Sequence, residues 1–334
     1  MYSIINKYKL LALHLMVLVL GFTGILGKLI TLESTHLVWY RMLIAFILLF
    51  IFLLIKNRIK QINPKNILPL ISAGFVVALH WLFFFESIKV SNVSIAVICL
   101  STSSLFSAFL EPIFFKRKIL KYEVFFGLIV MITLAFMLYE KPENKFLSEN
   151  YTLGYFYGFI SSFLATLFTI INAKFINKID AAEITMIEML GGVILISLYF
   201  FITNDYSIAS KTISISDVSY LFILGSICTA GVFVWMIEIM RYMTPYSVIM
   251  AINLEPIYSI IIALIIFNDS ESMNTFFYLG GTLILLTVFF DGYIKGISLT
   301  VRSISSVPRI VSKIIAEPST LLVIGPSLSI VQLK

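Results

Sequence analysis

The sequence predicts an all-α integral membrane protein of ten transmembrane helices, arranged as two inverted five-helix repeats. Three observations predict it. Of the 334 residues, 60% are hydrophobic and 13% charged, with a mean hydropathy of +1.01, whereas a soluble domain is roughly 45–50% apolar and 25% charged. Apolar runs of about 20 residues, the length a helix needs to cross a bilayer, recur along nearly the whole chain. Finally, the longest charged interruption before the tail, Glu140 to Asn150, divides those runs into five and five.

Taken in order, the spans fall near Leu10–Ile30, Leu37–Ile55, Ile67–Ile88, Val93–Phe115, Val124–Tyr139, Leu153–Ile176, Ile184–Ile202, Val218–Met240, Tyr246–Phe267 and Phe276–Phe290. Runs such as Leu43–Ile55 are apolar on every face, unlike the alternating ten-residue segments of a membrane barrel. Lys7 and Lys9 ahead of Leu10 could begin a signal peptide. No Ala-x-Ala cleavage site follows and the apolar run continues past Gly24, so the segment is read as the first span. The organisation expected is a first repeat over 1–140, an external linker over 141–152, a second repeat over 153–291 and a cytoplasmic tail over 292–334.

If every segment crosses, eighteen of the 24 cations lie on one side, among them Lys56, Arg58, Lys116, Arg117, Lys174 and Arg241. Five lie opposite (Lys28, Lys89, Lys141, Lys145, Lys211), and Arg41 stays inside a span. Cations near span ends are retained on the cytoplasmic side, so both termini are expected there, in a multi-pass protein of the cell (inner) membrane. The net charge of +6 is thus topological, and no nucleic-acid partner is expected. Cys99 and Cys228 sit inside apolar runs and read as small buried hydrophobes. Two readings of the tail stay open: a segment lying on anionic lipid through Arg302, Arg309 and Lys313, or a disordered segment without function.

The halves can be laid on each other. Glu86, Lys89, Ser101, Ser103, Phe106 and Ser107 match Glu238, Arg241, Asn253, Glu255, Tyr258 and Ser259 at one offset of 152. Thr23 and Lys28 match Thr169 and Lys174 at 146. Five crossings per half is an odd number, so the repeats must enter the membrane from opposite sides. Many alternating-access carriers are built this way, with the substrate site near the midplane.

A charge at the centre of a span costs on the order of 2.5–3.5 kcal/mol on insertion scales, so depth decides which polar residues matter. Glu255 lies 14 residues from Arg241 and 14 from Asp269, near mid-depth, and Pro256 after it predicts a kink. Asn253, Tyr258 and Ser259 accompany it, the last two at i+3 and i+4. His80 lies just beyond the midplane, and Ser101, Ser103 and Ser107 offer hydroxyls in the fourth span. These eight residues form the expected substrate and proton pathway, each with a structural alternative: a hydrogen-bonded interior Glu or His, or small packing hydroxyls. His14, Arg41, Glu111 and Glu188 stand about five residues from a polar end and are expected to snorkel or pair there.

Several segments carry a resemblance. They are Gly21-Phe22-Thr23-Gly24, Trp39-Tyr40-Arg41, Phe84-Phe85-Glu86-Ser87-Ile88-Lys89, Ser91-Asn92-Val93-Ser94-Ile95-Ala96 and Asn253-Leu254-Glu255-Pro256-Ile257-Tyr258. In their order, and over about Leu10 to Phe290, the chain resembles the ten-span EamA-type transporters of the drug/metabolite transporter superfamily. The resemblance implies a bundle around a central cavity and export of a small metabolite such as an amino acid. The expectation is a secondary carrier working in the lipid bilayer, with protons as a candidate coupling partner, and no metal, cofactor or oligomeric state is assigned. Alternatives are an uptake permease of the same fold and an integral-membrane enzyme acting on a lipid-linked substrate. Against the enzyme, the sequence has no His-Glu-x-x-His pair and no aspartate-rich cluster, and it has no phosphate loop for ATP.

Overall fold

The computed structural model of the chain describes residues 9–59, 63–139, 150–205, 213–271, 273–287, 289–290, 293–294, 322–324 and 330–332. Among the described residues, helix occupies most of each of the ten predicted segments. The first half comprises α1 (Lys9–Leu29), α2 (Ser34–Ile55), α3 (Pro64–Val90), α4 (Val93–Cys99), α5 (Ser103–Phe115) and α6 (Lys121–Tyr139). The second comprises α7 (Tyr151–Phe175), α8 (Ala181–Thr203), α9 (Ile215–Gly225), α10 (Val232–Ile239), α11 (Pro245–Ile252) and α12 (Glu255–Phe267), followed by α13 (Thr275–Thr287). A 3-10 turn at Leu100–Thr102 joins α4 to α5, and a π-helical segment at Ser226–Gly231 joins α9 to α10. Among the described residues, seven helical stretches are long and apolar enough to cross a membrane, and shorter apolar helices accompany them.

Helix starts follow from short polar side chains that accept the otherwise orphaned first N–H groups. Asn92 accepts from the Ile95 N–H at 2.9 Å, Asn150 from Leu153 at 3.1 Å, Asp180 from Ala182 at 3.0 Å and Ser214 from Asp217 at 3.0 Å. Between the caps, the apolar runs close their own backbone bonds, as lipid demands. Large apolar side chains such as Ile55, Leu68, Ile113, Phe201 and Ile215 remain exposed on the outside, a surface suited to hydrocarbon rather than water.

The halves interlock. Helix α3 packs against α7 and α8, and α2 against α8. Contact is by backbone where α3 meets α8: a Cβ at Gly74 would collide with the Glu188 carbonyl, and one at Gly191 with the Ile71 carbonyl. Small residues permit such close approach in a bundle that has no hydrophobic drive between helices.

The repeat-related spans also cap one another. Glu271, just after α12, accepts from the N–H groups of Val93 and Ser94 at 3.0 Å and from Ser94 Oγ at 2.8 Å, and pairs with Lys28 Nζ at 2.8 Å. At the opposite end of the α4–α5 span, Glu111 accepts from the N–H of Tyr246 at the start of α11 (3.2 Å) and lies 3.4 Å from Arg117 Nε.

Residues Phe289–Lys334 form a second compact unit. Among its described residues, Leu322–Ile324 and Ile330–Gln332 pair as antiparallel strands, Val323 opposite Val331. This pair departs from the all-α reading. Its runs, rich in Val and Ile on either side of Gly325-Pro326, are too short for a helical span and suit strands instead. The linker expected at 141–152 falls almost wholly outside the described residues, and so does most of the tail.

Candidate functional site

The fourth and ninth predicted segments both break partway along their length. In the first, the Leu100–Thr102 turn is bound from the side chains: Thr102 Oγ1 donates to the Cys99 carbonyl at 2.7 Å and lies 2.8 Å from Ser162 Oγ, and Ser104 Oγ donates to the Ser101 carbonyl at 2.9 Å. Hydroxyls bonded to nearby carbonyls compete with regular helix and hold such a turn. In the second, the chain turns at Asn253 and Leu254, and α12 restarts at Glu255 with Pro256 in its first turn, where proline's missing N–H costs nothing. The turn at 253–254 stands 152 residues after 101–102, the offset that aligns the halves in sequence.

Between the two breaks lies a cavity of about 70 Å³ with seventeen lining residues. Twelve of them are repeat-related. Trp81 corresponds to Phe233 in the other half, Phe84 to Met236, Leu100 to Ile252 and Ser103 to Glu255, all at 152; Leu20 matches Thr166 and Thr23 matches Thr169 at 146. The walls are therefore built from equivalent places in both halves. Room for a few waters exists, whereas pockets for small metabolites run to roughly 300–1,000 Å³.

Glu255 opens α12, is 4% exposed and lines this cavity. Ser103, its counterpart, donates through Oγ to Asn253 Oδ1 at 3.2 Å. His80 lines the cavity too, with Nδ1 2.9 Å from both the carbonyl and the hydroxyl of Ser161, and with its ring against Phe168 at 5.5 Å. The bonds to Ser161 fix the ring's orientation. Three of the eight expected pathway residues, Glu255, His80 and Ser103, thus line one cavity, and Asn253 joins them through its bond to Ser103.

The other four do not reach it. Ser101 and Ser107 are fully buried, with hydroxyls that lack a partner, and neither lines the cavity. Ser259 donates to the Gly21 carbonyl at 3.0 Å, and a Cβ on Gly21 would stand 3.1 Å from Tyr258 Cβ. Tyr258 and Ser259 therefore seat α12 on α1 one turn below Glu255. Helical spacing alone could not reveal that α1 crosses there.

Arg41 is the residue that sequence reasoning misplaced. Its five-residue distance from His36 predicts snorkelling to the interface, yet it is 1% exposed and lines the cavity. Nε donates to Thr229 Oγ1 at 2.6 Å and Nη2 to the Cys228 carbonyl at 3.4 Å, while the guanidinium lies 3.7 Å from the centre of the Trp81 ring. Thr229 in turn donates to the Leu224 carbonyl, five residues back, at 2.6 Å, so the π-helical register brings this hydroxyl and the Cys228 carbonyl to the arginine. No composition or spacing signal announces such a segment. Glu188, also expected near the interface, is fully buried against Asn172 at 3.3 Å; His14 is exposed, and Glu111 pairs with Arg117 of the cation cluster.

Two other features lie apart from this lining. A wider recess of about 770 Å³ reaches from Phe52 and Lys56 to Ile227 and Trp235. Phe52 and Ile227 are half-exposed there, which marks a surface that meets lipid tails. Glu33, His36 and Asp205 bring ligand atoms within 4.8 Å of one another, beyond the cavity wall.

The EamA-like transporter family matches residues 7–139 and, separately, 152–291. No curated protein matches the chain. Among solved structures 28 chains match; one, described as "Crystal structure of protein", superposes with a TM-score of 0.60 at 13% identity, covering 83% of this chain and 95% of its own. At that identity the likeness speaks for the fold alone.

Proposed function

Since the chain belongs to the EamA-like transporter family, and is thus a multi-pass membrane transporter and not an enzyme, we propose that it is a secondary carrier exporting a small metabolite by alternating access through the central cavity. One observation carries this reading: the buried Arg41 and Glu255 and both helix breaks converge on one cavity, most of whose walls come from equivalent positions of the two halves. Broken spans meeting at a repeat interface are where carriers hold their solutes. A cavity of about 70 Å³ is too small for a metabolite, so loading requires its walls to part, and the two breaks with the π-helical segment are the places where helices can bend.

We assign ten crossings, inverted repeats, cytoplasmic termini and the cell membrane on the cation asymmetry and the odd number of helices per half. Reporters placed after Lys334 and between Glu143 and Lys145 should read as cytoplasmic and external; the same side for both would remove the inversion. The solute and its direction are tested by comparing retained and released metabolites in cells with and without the protein. Export predicts solutes depleted inside and enriched outside. Enrichment inside would replace export by uptake, and no difference in any solute would contradict transport.

A further inference from the structure

We propose that Arg41 is the anchor for a carboxylate on the transported solute, an inference that rests on the carrier reading above. A guanidinium presents five N–H donors in a fixed plane. Here Nε and Nη2 are committed to Thr229 and Cys228, while Nη1 is buried and has no partner. No carboxylate among the described residues forms an ion pair with it; Glu255 feels its charge from the same cavity. A buried cation left in this condition is costly, and it is tolerated where an anion arrives to take the free donors.

The surroundings hold the group ready for that anion. The guanidinium carbon stands over the Trp81 ring, 3.7 Å from its centre, and Thr229 fixes the Nε edge at 2.6 Å, so the group is already held in place and a carboxylate taking the unpaired Nη1 would cost little further side-chain freedom. A planar fork suits a carboxylate's two oxygens. Arg41 is the one lysine or arginine among the lining residues, and Glu255 stands in the same cavity. A phosphate dianion would leave the site with an excess of negative charge; a single carboxylate is balanced by Arg41 once Glu255 takes a proton or meets a cationic group of the solute. Among the remaining walls, Phe84, Phe168, Phe233 and Met236 suit an apolar body attached to that carboxylate, and Thr23, Thr166 and Thr169 add hydroxyls beside it.

The test compares solutes released by cells carrying the full-length wild type, Arg41→Gln or Arg41→Lys at matched membrane accumulation. The solutes whose release depends on the wild type should bear a carboxylate. Their release should fall about tenfold or more in Arg41→Gln, the worth of a charge-assisted hydrogen bond, and recover in part in Arg41→Lys, which keeps the charge but not the planar fork. Should Arg41→Gln fail to accumulate, Thr229→Val, which leaves the arginine charged but frees its Nε edge, should lower release of carboxylates relative to other solutes. Wild-type-dependent solutes without a carboxylate, or undiminished release by the well-accumulated variant, would overturn the role of Arg41 and leave the carrier intact. Absence of any wild-type-dependent solute would instead contradict transport itself, and this inference with it.

Discussion

Spans four and nine occupy equivalent places in the two halves and break at equivalent residues, yet the chemistry at the breaks is unlike. The first break is lined with hydroxyls, Thr102 and Ser104 bonding their own turn and Ser103 reaching Asn253. The second puts a carboxylate, Glu255, at the restart of the helix. Duplication thus supplies a shape common to both halves, and divergence at a few positions supplies the charge. The same asymmetry holds for Arg41, whose contacts come from a π-helical segment present in span eight and absent from its counterpart α3.

If the difference is functional, the halves should respond unequally to equally small changes. The largest effect is expected at Glu255. Glu255→Gln preserves size and hydrogen bonding, so the protein should accumulate normally, while net transport loses its dependence on pH; exchange of solute for solute survives if the carboxylate handles only the proton. Transport and pH dependence both unchanged would reduce Glu255 to a packing residue. A lesser loss is expected where the two spans are tied together. Glu271→Gln removes the charge that serves four donors from Lys28, Val93 and Ser94, and thermal unfolding in detergent should show a loss of roughly 1–3 kcal/mol. An unchanged midpoint would mean that water replaces the cap. The smallest effect belongs to the hydroxyl half: Ser103→Ala removes one neutral hydrogen bond, worth about 0.5–1.5 kcal/mol, and should weaken apparent solute affinity by roughly two- to tenfold. A loss as large as that of Glu255→Gln would erase the distinction between the breaks.

Much of this architecture was legible in the chain, because lipid leaves so few choices. Apolar length located most of each helical segment, Pro256 foretold the bend in the ninth, and the offset of 152 aligned Ser101 with Asn253 and Ser103 with Glu255. The turn at Leu100–Thr102 had no such mark, because hydroxyls rather than a proline hold it. Depth picked out Glu255 and His80, which do meet at the cavity. Where the reading failed, the deciding fact was a neighbour rather than a distance along the helix. Arg41 is close to a span end in residues but walled in by Trp81 and the π-helical segment, and Ser259 lies on the expected face but beneath α1. The tail strands escaped notice because three-residue runs carry no periodicity.

The account turns on the cavity between the breaks being the solute's path, and labelling of single cysteines tests this most directly. In a full-length protein lacking Cys99 and Cys228, a cysteine at Ser103 should react with a membrane-impermeant thiol reagent applied to either face, because alternating access opens the same wall to both sides, and a solute identified by the release screen should slow that reaction. A cysteine at Ser107, buried away from the cavity, should stay inert under the same treatment. Position 103 unreactive from both faces, or reactive from both but indifferent to solute, would contradict the account.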